Sequence, residues 1–290
     1  MSGLTEKLTA RDVIRMKAKG RRIAMITAYD YPTARLADEA GVDVILVGDS
    51  AAMVVLGMRD TRFIGMEEML VFCRAVSRAV SRALVVGDMP FMSYQASTEQ
   101  AVLNAGRMVR EGGVDAVKIE GGREYADVVR AIVRAGIPVM GHVGMTPQSA
   151  ASSTGFRLRG KTAEEAEAIV RDAEEIARAG AFSIVLEFTT AEVAEYLSET
   201  LEIPVIGVGA GPRCDGQVLV LHDVLGLYEN SPPFAKRYAD LRSEVLGAIR
   251  RYVEEVRSGA FPDEGRFWRM GDEEREELRR RLARREGGAG

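Results

Sequence analysis

Cysteine and histidine are scarce in this sequence, with two of each among 290 residues. The cysteines, Cys73 and Cys214, have none of the spacings by which thiolates bind zinc or iron. A site built from sulfur ligands is therefore not indicated. So few cysteines are also typical of a reducing compartment, where neither thiol needs a disulfide partner, and we expect a cytoplasmic protein.

Long apolar runs and clusters of basic residues are lacking as well. No apolar stretch approaches the roughly 20 residues that a membrane-spanning helix needs, and the polar N-terminus does not resemble a signal peptide. The formal net charge is −4. Because nucleic-acid binding depends on a clustered basic surface, this charge argues against nucleic acid as the main partner. We expect a small soluble substrate, with no membrane and no nucleic-acid partner.

What the sequence does contain is a repeated unit: an amphipathic segment, a glycine, a short apolar strand and then a polar residue. Val44–Ser50 has this form, and Leu84–Pro90, Ala116–Gly122 and Ser183–Phe188 repeat it. Short apolar runs of this kind predict buried strands. Eight strands alternating with helices predict an α/β fold, a (β/α)8 TIM barrel, and an open doubly wound sheet is the alternative. The other four strands are predicted at Arg22–Thr27, Pro138–Val143, Pro204–Val208 and Gln217–Leu221.

Helical patterns flank this predicted barrel. An N-terminal amphipathic helix is predicted at Thr9–Lys19, and a long helix at about Phe234–Ser258. The run Asp272–Glu286 is acidic first and basic later, which predicts a solvated helix whose charges match its own dipole. We therefore expect one barrel domain over residues 1–270 and a charged C-terminal helical extension, the tail, over residues 271–290.

Polar side chains stand at the C-terminal ends of the predicted strands, where the loops of a barrel form active sites. Lys118 precedes Glu120 by two residues, so both side chains point to the same side of their strand. Acids gathered at one end repel each other unless a cation is present, so we predict a bound cation. Oxygen ligands without a cluster of histidines or cysteines favour Mg²⁺ over Zn²⁺. The strand-end residues are Asp49, Asp88, Glu120, His142 and Glu187.

Simpler interpretations exist for single residues. Any one of these acids could be a loop residue or a helix cap, although four of them in one barrel favour a site. His142 could be a hydrogen-bonded residue at the barrel mouth, and His222, beside Asp223, is interpreted as structural. The polar stretch Gly144–Lys161 is interpreted as a lid, because a loop of this length in a compact domain is usually functional or mobile.

Several longer motifs resemble a known enzyme family. They are, in order, I-T-A-Y-D-Y, V-G-D-S, G-D-M-P-F-M-S-Y, V-K-I-E-G-G, G-H-V-G-M-T-P-Q-S, V-I-G-V-G-A-G and D-G-Q-V-L-V. Together they resemble the ketopantoate hydroxymethyltransferases, also called 3-methyl-2-oxobutanoate hydroxymethyltransferases, over roughly Thr9–Pro262. The resemblance implies a (β/α)8 fold, Mg²⁺ as cofactor and 5,10-methylenetetrahydrofolate as co-substrate.

The implied reaction transfers a hydroxymethyl group from the folate to 3-methyl-2-oxobutanoate, giving 2-dehydropantoate (ketopantoate) and tetrahydrofolate in pantothenate and coenzyme A biosynthesis. A homo-oligomer, commonly a decamer, is implied as well. The residues to which the resemblance gives roles are the metal ligands Asp49, Asp88 and Glu120, the oxo-acid contacts Asp49, Ser50, Asp88 and Lys118, and the proton acceptor Glu187. Two alternatives stay open: a Mg²⁺-dependent lyase or mutase that acts on another oxo acid without folate, and a non-catalytic scaffold.

Overall fold

The computed structural model describes residues 6–149 and 156–286. Eight parallel strands pair in sequence order. They close into a barrel because β8 pairs with β1, with Gly216 opposite Ile23. This closure confirms the predicted TIM barrel and excludes the open sheet. The strands are β1 Ile23–Thr27, β2 Val44–Val47, β3 Leu84–Asp88, β4 Ala116–Glu120, β5 Val139–Gly144, β6 Ser183–Glu187, β7 Val205–Val208 and β8 Gly216–Leu219.

Helices follow most of the strands. A polar side chain caps several of them, as where the Thr9 hydroxyl accepts from the Asp12 backbone N–H and starts the N-terminal helix. One connection departs from the alternation: residues 209–215, between β7 and β8, form a turn without a helix. The helices are Ala10–Ala18, Tyr31–Glu39, Ala51–Val54, Met66–Ala79, Thr98–Arg110, Ala126–Arg134, Ala163–Arg178, Ala191–Thr200, Leu221–Leu225, Leu241–Ser258 and Asp272–Glu286, with 3₁₀ turns at Thr61–Phe63 and Arg123–Tyr125.

The long C-terminal helix begins later than the sequence pattern predicts. The prediction from about Phe234 is wrong, because the helix starts at Leu241. Asp240 is its cap, and the Asp240 carboxylate accepts a hydrogen bond from the Ser243 backbone N–H at 3.3 Å. A capping side chain that accepts a hydrogen bond from the first turn fixes where the helix begins. The predicted helix over Asp272–Glu286 is confirmed.

The chain divides into two compact units, the first ending at Ala239 and the second beginning at Asp240. The predicted boundary at residue 270 stays a prediction. Part of the predicted lid, residues 150–155, lies outside the described residues, so the lid also stays a prediction. Within residues 6–149 and 156–286, no helix is both long and apolar enough to cross a membrane.

The barrel interior explains where polar residues can lie. Apolar side chains from all eight strands fill the interior, and Val13 and Met16 of the N-terminal helix pack against this cluster. A separate cluster lies between the strands and the surrounding helices. Because both layers are apolar, charged side chains that face the barrel interior lie where the interior cluster stops, toward the C-terminal ends of the strands.

The buried carboxylate of Asp38 joins the helix Tyr31–Glu39 to the turn before β3. It accepts hydrogen bonds from the backbone N–H groups of Ser81 at 2.8 Å, Arg82 at 3.1 Å and Ala83 at 2.7 Å. Burial raises the pKa of Asp38, but these hydrogen bonds outweigh it and the net pKa is lowered. A carboxylate with a lowered pKa stabilises the fold above its ordinary pKa and loses that effect as pH falls through the folded value.

We expect Asp38→Ala to lower the free energy of unfolding by about 2–4 kcal/mol at neutral pH, because three N–H donors lose their acceptor. Urea unfolding measures the loss. The difference in free energy of unfolding between the variant and wild type should become smaller as the pH falls below 3.8, the ordinary pKa of aspartate. Asp127→Ala is the control, since the Asp127 side chain is 88% exposed; its cost should stay below about 0.5 kcal/mol. Equal stability of Asp38→Ala and wild type would contradict the prediction.

Candidate active site

Polar side chains line a cavity of about 420 Å³ at the C-terminal end of the barrel. Alternate residues of a strand face the same side, so the residue that follows the last apolar interior position also faces the barrel interior. In β3, Leu84 and Val86 belong to the interior cluster and Asp88 comes next; in β6, Val185 is followed in the same way by Glu187. All the residues predicted from sequence line this one cavity: Asp49, Ser50, Asp88, Lys118, Glu120, His142 and Glu187.

Asp49 and Asp88 form the floor of the cavity at the ends of the neighbouring strands β2 and β3. Both are buried, and the Asp49 backbone N–H donates to Asp88 Oδ2 at 3.2 Å. Burial raises the pKa of each carboxyl. For Asp49 the negative charges of Asp88 and Glu120 raise the pKa further. The two carboxylates therefore lie where a positive charge would stabilise them.

Lys118 supplies one positive charge to this floor. Its ammonium lies 2.8 Å from Asp88 Oδ1 and 4.0 Å from Glu120 Oε1, and the side chain is only 4% exposed. Burial lowers the pKa of Lys118, but the carboxylates of Asp88, Glu120 and Asp49 outweigh it and raise the pKa above its ordinary value. Lys118 is thus a fixed cation in the cavity.

His142 connects Glu120 to Glu187. Its Nδ1 lies 3.3 Å from Glu120 Oε1 and its Nε2 lies 3.2 Å from Glu187 Oε2. Burial and Lys118 lower the pKa of His142, but the two glutamates outweigh them and raise it to about 9. A raised pKa favours the positively charged ring, which lies within ion-pair distance of both glutamates. His142 Nδ1 also lies within hydrogen-bonding distance of Lys118 Nζ, at 3.2 Å.

Gln148 has a place in the site that the sequence reasoning missed. Its side-chain amide donates to Asp49 Oδ2 at 2.9 Å, and its backbone N–H donates to Glu120 Oε2 at 3.0 Å. The Tyr94 hydroxyl in turn donates to Gln148 Oε1 at 2.8 Å. Both Gln148 and Tyr94 stand inside motifs quoted above, and their place in these motifs is the signal that could have found them.

Ser50 and Glu187 reach the cavity from opposite walls. The Ser50 hydroxyl is within 2.8 Å of the Tyr29 hydroxyl. Glu187 keeps 18% of its side chain exposed, whereas the carboxylates on the floor are buried. Directly after Glu187, Phe188 has a φ of 46°. This left-handed conformation is unfavourable for a bulky residue and marks a constrained turn beside the site.

Comparison with known proteins identifies the family. A model of the family described as ketopantoate hydroxymethyltransferase matches residues 7–264. The chain is 55% identical to 3-methyl-2-oxobutanoate hydroxymethyltransferase of Hyperthermus butylicus, over 98% of each chain. It is 54% identical to the protein of the same name from Pyrococcus abyssi, over 92% of this chain and 94% of that one. The chain belongs to the ketopantoate hydroxymethyltransferase family. The predicted resemblance is confirmed, and the protein is an enzyme, a hydroxymethyltransferase.

Solved structures similar to this ketopantoate hydroxymethyltransferase share its fold at low identity. A phosphonopyruvate hydrolase in complex with oxalate and Mg²⁺ has a TM-score of 0.57 at 16% identity, over 97% of this chain and 99% of that chain. A 2,3-dimethylmalate lyase has a TM-score of 0.58 at 18% identity, over 95% and 99%. At these identities the likeness supports the barrel fold alone.

The donor set of this ketopantoate hydroxymethyltransferase suits a hard cation in chemistry and charge. Its carboxylates, Asp49, Asp88, Glu120 and Glu187, outnumber the cations Lys118 and His142 around one cavity. Carboxylate oxygens are preferred ligands of Mg²⁺. In the described part of the chain, however, no three acidic, histidine or cysteine side chains already converge in a metal-binding arrangement. The ligand set therefore stays a prediction.

Proposed function

We propose that this cavity transfers a hydroxymethyl group from 5,10-methylenetetrahydrofolate to 3-methyl-2-oxobutanoate, with uptake of one water, to give ketopantoate and tetrahydrofolate. The step belongs to pantothenate and coenzyme A biosynthesis. The observation that carries this function is the family match over residues 7–264, together with 55% identity along 98% of the chain. The residue roles below are supported by the geometry of the cavity.

Glu187 is the proposed general base for the C3 proton of the oxo acid. It lines the cavity and is 18% exposed, so a substrate atom can reach it. His142 Nε2 lies 3.2 Å from Glu187 Oε2, within ion-pair distance of the carboxylate. A general base must lie within hydrogen-bond reach of the proton that it removes, and a strand end that faces the cavity satisfies this requirement. Removal of the proton leaves an enolate whose C3 carbon forms the new bond to the one-carbon unit; both bonds from that unit to the folate nitrogens break, and water supplies its hydroxyl group, which releases tetrahydrofolate.

Asp49, Asp88 and Glu120 are the proposed residues that hold Mg²⁺. Burial and the negative charges of neighbouring carboxylates raise the pKa values of Asp49 and Asp88, which supports a site that is incomplete without further positive charge. When bound, the ion supplies positive charge beside the oxygens on which negative charge develops. Gln148 holds Asp49 and Glu120 in position through its side-chain amide and its backbone N–H.

Lys118 and Ser50 are the proposed contacts to the oxo acid, with Asp49 and Asp88. Lys118 places a fixed positive charge where a substrate carboxylate or enolate oxygen can pair with it. The Ser50 hydroxyl is oriented by Tyr29 and lies on the wall beside Asp49. These residues bind and orient the oxo acid, and Glu187 moves the proton.

A lysine inside a barrel strand could instead form a Schiff base with a ketone. The carboxylates around Lys118 hold its ammonium protonated, and a protonated amine is a poor nucleophile. We therefore expect no covalent adduct after borohydride treatment in the presence of 3-methyl-2-oxobutanoate, as measured by intact-protein mass spectrometry. Acetoacetate decarboxylase, which forms a Schiff base between a lysine and its substrate, is treated with borohydride and acetoacetate in parallel to confirm that the trapping works. A reduced adduct mapped to Lys118 would refute this part of the mechanism.

Assays with and without 5,10-methylenetetrahydrofolate test the function directly. A hydroxymethyltransferase forms ketopantoate only when the folate is present. The alternative, a Mg²⁺-dependent oxo-acid lyase or mutase, consumes its substrate without folate, and similar barrels carry such names. A non-catalytic scaffold gives no product in either assay. Formation of ketopantoate that depends on folate supports the proposal, and turnover without folate contradicts it.

The oligomeric state is a separate proposal. The family resemblance implies a homo-oligomer, commonly a decamer. Sedimentation equilibrium of the full chain, whose mass is 31.6 kDa, measures it directly. A species of about ten subunits supports the decamer, and a monomer contradicts it. The cytoplasmic location likewise stays a prediction.

A further inference from the structure

The cavity has a second half that the oxo-acid chemistry does not use. Its floor is polar, but its outer wall is built mainly from apolar and aromatic side chains. The total volume is about 420 Å³, within the range of roughly 300–1,000 Å³ that is typical of sites for drug-sized ligands. A five-carbon oxo acid is much smaller than such a ligand. The outer half therefore has room for a larger, flat partner.

The aromatic side of this wall is held rigidly. Phe234 packs on Phe188 with ring centroids 5.5 Å apart, and Phe188 directly follows the proposed base Glu187. A Cβ on Gly209 would lie 2.8 Å from the Phe234 ring, so glycine at this position is what permits the close packing. A ligand ring that contacts Phe234 from the cavity would consequently lie near Phe188, the residue after Glu187.

Tyr228 is a second aromatic residue of the same wall. Its hydroxyl donates to the Val54 carbonyl oxygen, and its ring stacks on His222 with centroids 5.9 Å apart and planes 23° apart. Tyr228 lines the cavity and is 41% exposed, so its ring is accessible at the cavity mouth. The structural interpretation of His222 is consistent with this role as a support for Tyr228.

Asp223 is the carboxylate of this outer half. It lines the cavity from the short helix Leu221–Leu225, apart from the acids on the strand ends. Burial raises the pKa of Asp223; hydrogen bonding to Ser231 and the charges of His222 and Arg237 oppose this shift only in part. Asp223 has no role in the proposed oxo-acid chemistry. A carboxylate in an aromatic wall is suited to a flat ligand that carries adjacent N–H donors.

We propose that this outer half binds the pterin ring of the one-carbon donor, with Phe234 and Tyr228 against the ring and Asp223 accepting hydrogen bonds from its 2-amino and N3–H groups. The inference rests on the proposed function and adds the site of its second substrate. A carboxylate accepts two parallel hydrogen bonds from such an amidine-like edge. The contact between Phe234 and Phe188 brings the bound ring next to Glu187, so the donor methylene can meet C3 of the oxo acid.

Binding of tetrahydrofolate to the full chain tests the proposal by calorimetry. Asp223→Asn should weaken tetrahydrofolate binding by about 10- to 100-fold, because a charge-assisted pair of hydrogen bonds is lost. The Kd for 3-methyl-2-oxobutanoate should change less than about twofold, which also shows that the variant is folded. Asp172→Asn is the matched control, since the Asp172 carboxyl is also partly buried with a raised pKa but lies outside the cavity lining. The control should bind tetrahydrofolate as wild type does.

A modified ligand gives a second, independent readout. Wild type should bind tetrahydrofolate at least about 10-fold more tightly than its 2-desamino-2-methyl analogue, because a site built for an N–H donor rejects an analogue that lacks it. Asp223→Asn should lose most of this preference. Phe234→Leu, which leaves the carboxylate in place, should weaken both ligands by a similar factor and keep the preference.

The outcomes separate this inference from the function on which it rests. Unchanged tetrahydrofolate affinity in Asp223→Asn, an unchanged ligand preference, or an equal loss of oxo-acid affinity would overturn the pterin site while wild type still forms ketopantoate. Failure of wild type to form ketopantoate from the folate would overturn the proposed function itself. Selective loss of tetrahydrofolate binding and of the 2-amino preference supports the pterin site.

Discussion

Glu187→Gln is expected to slow exchange of the C3 proton of 3-methyl-2-oxobutanoate by about 10²- to 10⁴-fold, the usual contribution of a positioned general base. The substitution keeps the size of the side chain and removes only its ability to take a proton. Exchange is followed by NMR in deuterated water with Mg²⁺ present and folate absent, so the proton-transfer step is measured apart from one-carbon transfer.

The same variant should keep its affinity for the oxo acid and for Mg²⁺. Glu187 stands on β6, whereas the proposed ligand Asp49 follows β2, and Asp88 and Glu120 end β3 and β4. A neutral residue at 187 therefore leaves them in place. Glu195→Gln is the matched control, because the Glu195 side chain is 45% exposed and pairs with Arg213 outside the cavity. Loss of Mg²⁺ affinity in Glu187→Gln, or exchange at the normal rate, would rule out Glu187 as the base.

Asp88→Asn is expected to lower Mg²⁺ affinity and turnover by at least about 10- to 100-fold, the range found when groups around a metal are removed. Asp88 touches two parts of the floor: it lies 2.8 Å from the Lys118 ammonium and accepts from the Asp49 backbone N–H. Asparagine keeps the shape but removes a negative charge beside a buried cation. Lys118 is then less well compensated, so oxo-acid binding should also change.

Titration of Mg²⁺ by calorimetry and activity measured against added Mg²⁺ test this expectation. Far-ultraviolet circular dichroism establishes whether the barrel is folded. Asp127→Asn, at an 88% exposed side chain, is the control and should match wild type in both measurements. Wild type treated with a chelator should lose activity and regain it with Mg²⁺. Full activity of wild type in chelator would contradict the metal proposal.

Much of the site could be predicted from the sequence because strand periodicity is local. An apolar run that ends in an acid implies a buried strand whose end faces an opening, and Asp49, Asp88, Glu120 and Glu187 were found in this way. All four line one cavity. The eight strands were predicted to within three residues of their observed ends, because most of them are short apolar runs.

The contacts across the barrel could not be predicted, because they join residues far apart in the chain. Gln148 donates a hydrogen bond to Asp49, 99 positions earlier in the chain, and no sequence pattern near Gln148 indicates this contact. The helix start at Leu241 was also missed, because the hydrophobic pattern continues upstream while the Asp240 cap decides where the helix begins.

The sequence by itself determined the barrel, the acids at its mouth and the family, because these follow from short apolar runs and from motifs that are contiguous in the chain. Only the tertiary structure decided that His142 lies between Glu120 and Glu187, and that Lys118 pairs with Asp88. It also brought Asp223 and Phe234 to the same cavity as these residues. The reason is physical: strand closure sets which side chains meet, and the buried charges then take their protonation states from those neighbours.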